Sequence, residues 1–460
     1  MIRIISDDTS IDQQVQTQIS FFFNRFQLSK LMQRCNFYKE SGVPCIILLK
    51  ELFGLVFTGK NLYRTLETCD DLPFRKNTAY RFLNAAYHNW EKLLLLIASQ
   101  LVAYIDSLTG NDRESVLILD DSLFSRNRSK QVELLAKVYD HTTHRFHRGY
   151  RMLTLGWSDG NTFLPVSFQL LSSQKEKNIL SPAKQVDGRT LASKRRKRAC
   201  SSTTDVLIEM LKAAKHLPAR FVLFDSWFTT PKTVVRVKKE QRDVIGMLRL
   251  TEKIHYQFQG RWQNVKEIYQ QLPLTPLAEG KRLVGSACVR MRENKNAAAE
   301  DYVDARIVFV KDLRSNAMTA LMCTDLNLSE KEIIRIYGKR WDVEVFFKVC
   351  KSYLALTKEY QGRSYDLQVA ATTLVFLRYT MLAMQVREAT DDRTVCELFY
   401  QLKDEMKDIV FIQALMRIMY ALKAALRQSP LVSMELVDQI MNVFLDAVPD
   451  TLRGRLLAST

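Results

Sequence analysis

Residues that break secondary structure are scarce in this chain. Gly and Pro together fill 25 of 460 positions, about 5% against roughly 12% in average usage. So little turn-forming material excludes collagen-like, linker-rich and largely disordered chains. The eight cysteines are scattered and include no CxxC pair. That excludes a zinc ribbon, and a chain of this length needs no disulfide framework. The opening MIRIISDDTSIDQQ is acidic and polar, unlike a secretory signal. Long apolar runs are few: Leu93–Ile105 is too short to span a bilayer, and Val369–Val386 carries Arg378. A cytoplasmic protein with no membrane partner is expected, since no basic amphipathic helix or lipidation motif appears either.

Apolar residues and positive charge are abundant. With 47% hydrophobic residues the chain can bury sizeable cores, and its length predicts about three units at roughly 150 residues each. Lys and Arg number 67 against 50 Asp and Glu, a formal charge of +17. Such an excess points to a polyanion, nucleic acid before an anionic membrane surface. It is concentrated in two stretches, with 26 basic against 14 acidic residues over 111–250 and 9 against 5 over 331–385.

Residues 15–108 show apolar spacings of three and four and predict helices. Within them, Asn77 and Thr78 are cap candidates for a helix bearing Tyr80, Arg81 and Phe82, either a DNA-reading helix-turn-helix or an ordinary bundle segment. The near-neutral charge of residues 1–110, 12 basic against 10 acidic, weakens the DNA-reading alternative. After Gly110 the texture changes. SVLILDDS and ARFVLFDSWFT read as buried strands ending in carboxylates, with a hairpin turn at Ser158–Asn161 and an amphipathic helix in TDVLIEMLKAAKHL. This is a mixed α/β core. Four strand-like runs follow up to about Glu330, then a long helix over about 330–354 and further helices to the end.

Three acidic residues stand out by position. Asp120 and Asp225 end buried strands, where α/β sheets place their ligands, and Glu344 lies within the long helix. Converging carboxylates repel one another unless a cation lies between them. Mg²⁺ suits an all-oxygen set, and two such ions about 4 Å apart can activate a water and stabilise the leaving oxygen of a phosphodiester. A strand-end Asp standing alone is more often a turn or helix cap. On the helix, Tyr337, Arg340, Glu344 and Lys351 fall at about 0°, 300°, 340° and 320°, and Lys348 at about 20°. The stripe is basic and interrupted by one acid. It suits a DNA backbone over a metal site, or a solvated face of i,i+4 ion pairs.

The spacing Y-x2-R-x3-E-x6-K, read as Tyr337, Arg340, Glu344 and Lys351, resembles in full the signature of a family of bacterial insertion-sequence DDE transposases with a ribonuclease-H-like fold. A first Asp in LILDDS, a second in VLFDSWF, and gaps of 105 and 119 residues agree with it. The resemblance covers about residues 110–385. It implies an α/β ribonuclease-H-like catalytic core in two parts, 111–250 and 331–385, around a β-rich insertion at 251–330. Helical regions flank it: 1–110, a candidate for DNA end binding, and 386–460, a candidate for dimerisation. It also implies a metal triad of Asp120, Asp225 and Glu344 holding two Mg²⁺ ions, with Mn²⁺ as a substitute. Asp120 is preferred to Asp121 because the family pattern reads Asp, any residue, Ser or Thr. Tyr337, Arg340 and Lys351 become DNA contacts, joined by Lys348 from the same helical stripe, and Trp262 the candidate to stack on a flipped base. The implied partners are double-stranded DNA, as terminal inverted repeats and target, and a second protomer in a homodimer on that DNA. Two alternatives stay open: a catalytically silent DNA-binding relative, and another ribonuclease-H-like metal nuclease.

Two further signals carry less. His141, His144 and His147 do not match a zinc spacing and suit DNA contact or a solvated loop. The run Lys194–Arg198 suits phosphate contact or plain solvation.

Overall fold

Apolar residues on both faces mark strands covered on both sides, and Val116–Leu119 and Phe221–Phe224 are buried without a break. In the computed structural model they pair in parallel, Val116 with Phe221 through Leu119 with Phe224. The structure describes residues 18–388 apart from 60, 69–71, 109–112, 141–142, 278–281 and 299–300, together with 399, 403, 419, 421–422, 425–426 and 433–447.

Six helices come first: α1 (Gln18–Arg25), α2 (Leu28–Arg34), α3 (Cys45–Thr58), α4 (Leu62–Thr68), α5 (Lys76–Leu83) and α6 (Trp90–Leu108). Four strands follow, β1 (Val116–Ser125), β2 (Ala136–Asp140), β3 (Arg145–Ser158) and β4 (Phe163–Leu171). Then come α7 (Leu191–Ala199), α8 (Thr203–Ala213), β5 (Phe221–Phe224), α9 (Pro231–Lys239) and β6 (Asp243–Met247). The next block holds β7 (His255–Phe258), β8 (Arg261–Asn264), α10 (Val265–Gln270), β9 (Thr275–Pro276), β10 (Arg282–Met291), β11 (Val303–Asp312) and β12 (Met318–Cys323). Helices α11 (Glu330–Gly338), α12 (Trp341–Ser352), α13 (Tyr365–Glu388) and α14 (Met434–Ala447) complete the described chain.

All twelve strands belong to one mixed sheet, ordered β2-β3-β1-β5-β6-β12-β11-β10-β7-β8, with β4 on β3 and β9 on β10. This is the α/β, ribonuclease-H-like fold expected, with helices on the sheet. The strand-rich block after β6 does not form a sheet of its own. β12 pairs antiparallel with β6, Cys323 opposite Ile245, and carries the core sheet onward. On β3, the first five residues pair with β2 and the remainder with β4. At that changeover Gly149 is obligatory, because a Cβ would lie 2.1 Å from the Phe124 carbonyl oxygen.

The buried side chains form one connected hydrophobic cluster from Ile19 to Phe399, with α6 packed against α13 and β4, and α3 against α13. Three expectations are corrected. Asp120 does not end its strand, because pairing with β3 carries β1 on to Ser125. The helix with Tyr80 starts at Lys76, ahead of Asn77 and Thr78, and has no side-chain cap. The long helix over 330–354 is two helices joined by a turn at Lys339 and Arg340, next to Gly338, a poor helix former. Helix α13 is long and apolar enough to cross a membrane, yet its apolar window is 83% buried inside the protein. Its Arg378 pairs with Glu359 and donates to the Leu52 and Phe53 carbonyls of α3.

Candidate active site

The parallel register of β1 and β5 sets the geometry. One residue beyond the last pair, Leu119 with Phe224, come Asp120 and Asp225, at equal height on neighbouring strands. The Asp121 amide donates to Asp120 Oδ1 at 2.7 Å, and the Ser226 amide donates to Asp225 Oδ1. Burial, then the charges of Asp121 and Asp225, push the Asp120 carboxyl up to about 7, against the pull of Arg340. Asp121 lies on the other face of the sheet, as the strand pleat dictates, where it pairs with Arg151 Nε at 2.8 Å.

Helix α12 brings the third carboxylate. Its turn is anchored by the β3–β4 hairpin: Ser158 Oγ donates to Asp342 Oδ2 at 2.6 Å, and Lys339 Nζ donates to the Asp159 carbonyl at 3.2 Å. Gly160, at φ +94°, keeps that corner open, since a Cβ would meet the Lys339 side chain at 3.1 Å. From there α12 packs along β1 and β4. Arg340 Nη1 reaches Asp120 Oδ2 at 3.2 Å while Nη2 donates to Glu344 Oε1. Seven residues past Glu344, Lys351 Nζ donates to Ser122 Oγ at 2.5 Å. Burial lowers the pKa of this lysine. The Tyr337 hydroxyl, raised to about 12 by burial against the pull of the adjacent Arg340 guanidinium, has no acceptor for its proton among the described residues and lies within the fields of Asp225 and Asp120.

Among the anticipated residues, Asp120, Asp225, Tyr337, Arg340, Glu344 and Lys351 are therefore brought together. Lys348 lies on the same helix with its side chain exposed. Trp262 is not brought there. It lies on β8, seven strand spacings from β1, about 34 Å along the sheet at roughly 4.8 Å per strand. Arg292 covers its ring at 4.2 Å. Sequence reasoning missed a nearer aromatic. Trp227, two residues after Asp225, is 40% exposed, with the Arg249 guanidinium 3.5 Å from its ring centre and Arg151 at 6.0 Å. Its proximity to Asp225 in LFDSWF was the available signal.

The donor set is oxygen only, which suits a hard divalent cation. As the side chains stand, no group of three or more His, Cys, Asp or Glu among the described residues is gathered to hold a metal. Between Asp120 and Glu344 lies the Arg340 guanidinium, which bridges them and offsets one of the two charges. Glu344 is 37% exposed and has room to turn towards the two aspartates. The residues thus fit a cation in kind, with Arg340 as the present counter-charge.

Two residues of the basic run depart from the roles considered for it, while Lys194 and Lys197 are exposed. Arg195 and Arg196 are buried on α7 and paired with Asp366 and Glu133. Of the three histidines, His141 lies outside the described residues. His147 bonds Asn127 at 2.9 Å and Thr143 at 3.0 Å, and His144 lies 3.5 Å from the Tyr139 hydroxyl.

A family model described as DDE superfamily endonuclease matches residues 48–295. That span contains Asp120 and Asp225 and stops short of α11 and α12. No curated protein sequence matches the chain.

Proposed function

With more than half its length matched, the chain belongs to the DDE superfamily of endonucleases, whose substrate is nucleic acid. From that premise we propose that it is the transposase of a bacterial insertion sequence, cutting the element's terminal inverted repeats and joining them to target DNA. The observation that carries this reading is the Arg340 guanidinium, which links Asp120 in the middle of β1 to Glu344 on α12. Two motifs 224 residues apart thus share one partner, within the spacing Y-x2-R-x3-E-x6-K.

In this mechanism Asp120, Asp225 and Glu344 would hold two Mg²⁺ ions, for which Mn²⁺ would substitute. When bound, the ions supply the positive charge that activates a water, and later a 3′-hydroxyl, for attack on a phosphodiester. DNA entering the site draws Arg340 from the carboxylates onto a phosphate, freeing Glu344. Lys351 and Lys348 neutralise the phosphates along α12. The Tyr337 hydroxyl donates to a non-bridging phosphate oxygen, which satisfies its buried, unpaired proton. Trp227 is the aromatic best situated to stack on a base displaced beside the cut, ahead of Trp262. Cutting two ends requires two protomers. The exposed stripe of Leu436, Ile440, Val443 and Phe444 on α14 supports a homodimer on DNA; the other C-terminal helices anticipated from the sequence lie largely outside the described residues. The site of action is the bacterial cytoplasm, on the nucleoid.

Glu344→Gln tests the reading. Cleavage of end DNA in Mg²⁺ is expected to fall at least a thousandfold, with DNA binding retained. Unchanged function would favour a silent DNA-binding relative. Cutting by the wild type without joining of a 3′-hydroxyl to target would favour another metal nuclease of this fold.

A further inference from the structure

Strands β2 and β3 form a ribbon that extends past the carboxylates. Asp120 lies opposite Thr154 on β3, and β1 ends with Ser125 opposite Gly149. Beyond that point β3 pairs only with β2, from Ala136 opposite Gly149 out to Asp140 opposite Arg145. Residues directly opposite one another share a face of the sheet. By this register Lys137, Tyr139, Phe146 and Arg148 lie on the face that carries Asp120 and Ser122.

On the ribbon this face is open. Phe146 is 69% exposed, its ring set edge-on to Tyr139 at 5.1 Å, and Lys137 and Arg148 beside it are exposed. The opposite face is braced, with Val138 buried and His147 bonded to Asn127 and Thr143. The Asp140 carboxylate is also on that braced side, accepting from Thr143 at 2.9 Å. An aromatic ring flanked by two cations complements a sugar-phosphate backbone and a groove that admits a two-stranded ribbon.

We infer that the β2–β3 ribbon is a second contact to duplex DNA, engaging the flank of the substrate away from the cut. The inference rests on reading the carboxylate site as a DNA nuclease. From Thr154 back to Arg148 is six residues, and to Phe146 eight. At roughly 3.4 Å per residue these lie about 20 and 27 Å from Asp120. Since duplex DNA rises about 3.4 Å per base pair, the ribbon meets the DNA about six to eight base pairs from the scissile phosphate.

The test uses the full chain and two duplexes carrying one site that the wild type cuts. One ends about four base pairs beyond the cut on the ribbon side, the other about fourteen. With Ca²⁺ in place of Mg²⁺, Lys137→Ala/Arg148→Ala should weaken binding to the long duplex about tenfold or more and lower its salt slope by roughly 1.8, about 0.9 for each phosphate left without its cation. Hydroxyl-radical protection six to eight base pairs out should disappear, as it should in part with Phe146→Ala. Lys137→Arg/Arg148→Lys should restore both. Affinity for the short duplex should change little, which also shows that the variants fold. Equal weakening on both duplexes, or none on either, would overturn the inference. So would unchanged DNA binding accompanied by a change in the protein's own sedimentation, which would make the ribbon an interface between copies. A wild type for which no duplex is cut in Mg²⁺ overturns the nuclease reading, and the ribbon with it.

Discussion

Arg340 grips Asp120 and Glu344 with separate nitrogens of one guanidinium, a geometry that a lysine's point charge does not reproduce. The stripe to which it belongs was legible because helical periodicity is a property of the sequence, and the turn at Lys339 and Arg340 stays in the right-handed region. Trp227 was marked in the sequence only by its place two residues after Asp225, because Arg249 comes from beyond β6 and Arg151 from β3. Only the folded sheet assembles them. We predict that Trp227→Ala lowers cleavage at least tenfold and by more than Trp262→Ala does, measured as single-turnover rates on the same DNA. A larger loss for Trp262→Ala would restore the insertion as the source of the stacking ring.

His88 supplies a pH-dependent test of the helical region. It is 2% exposed, its ring stacks on Phe37 at 4.3 Å, and Nδ1 donates to the Phe82 carbonyl at 3.0 Å. Burial holds its pKa down at about 4, against an ordinary 6.5. The unfolded chain therefore takes up a proton below about pH 6.5 that the folded chain refuses until about pH 4, so stability falls as pH drops through that window. The expected loss is on the order of 3 kcal/mol, at about 1.36 kcal/mol for each pH unit of the window. His88→Asn, which keeps a donor for the carbonyl, should flatten the decline in urea-unfolding free energy between pH 6.5 and 4. An unchanged slope would place the acid sensitivity elsewhere.

Helix α7 shows how an element can mislead when read alone. Five consecutive cations normally mark a solvated or phosphate-binding surface, yet Arg195 and Arg196 face inward. They pair with Asp366 at the start of α13 and, for Arg196, with Glu133 ahead of β2. Glu133 also accepts the backbone amides of Lys184 and Tyr365. Nothing local to α7 reveals these partners, which come from both sides of it in sequence. Removing one member of a buried pair leaves the other uncompensated, so Glu133→Ala should cost about 3 to 5 kcal/mol. Arg198→Ala, which removes more exposed pairs with Glu91 and Glu209, should cost about 1 kcal/mol or less per pair. Denaturant midpoints at constant m-value check the contrast, and similar shifts would count against the buried network.

Across the whole molecule, the two buried strands that lead to Asp120 and Asp225 were readable because unbroken apolar runs announce coverage on both faces, whereas the continuation of β1 to Ser125 depends on its pairing with β3. The pairing of β6 with β12 was not, since it joins segments some 75 residues apart and no local pattern encodes which strand lies beside which. The same holds for the shared core: α3 meets Arg378 of α13 through contacts of more than 300 residues' separation. The charge excess follows the sheet and α12 and leaves the N-terminal helices nearly neutral.

The β6–β12 seam has a consequence for how such a chain can vary. The polypeptide leaves the core along β6 and returns along β12, and the two are hydrogen-bonded side by side, Met247 opposite Leu321 through Ile245 opposite Cys323. Departure and return are thus stitched at one place, next to the strand that leads to Asp225. Anything spliced between them begins and ends on that seam. The excursion can lengthen, shorten or be exchanged for foreign sequence without changing the spacing of the two aspartates, which makes it the natural graft point of the protein.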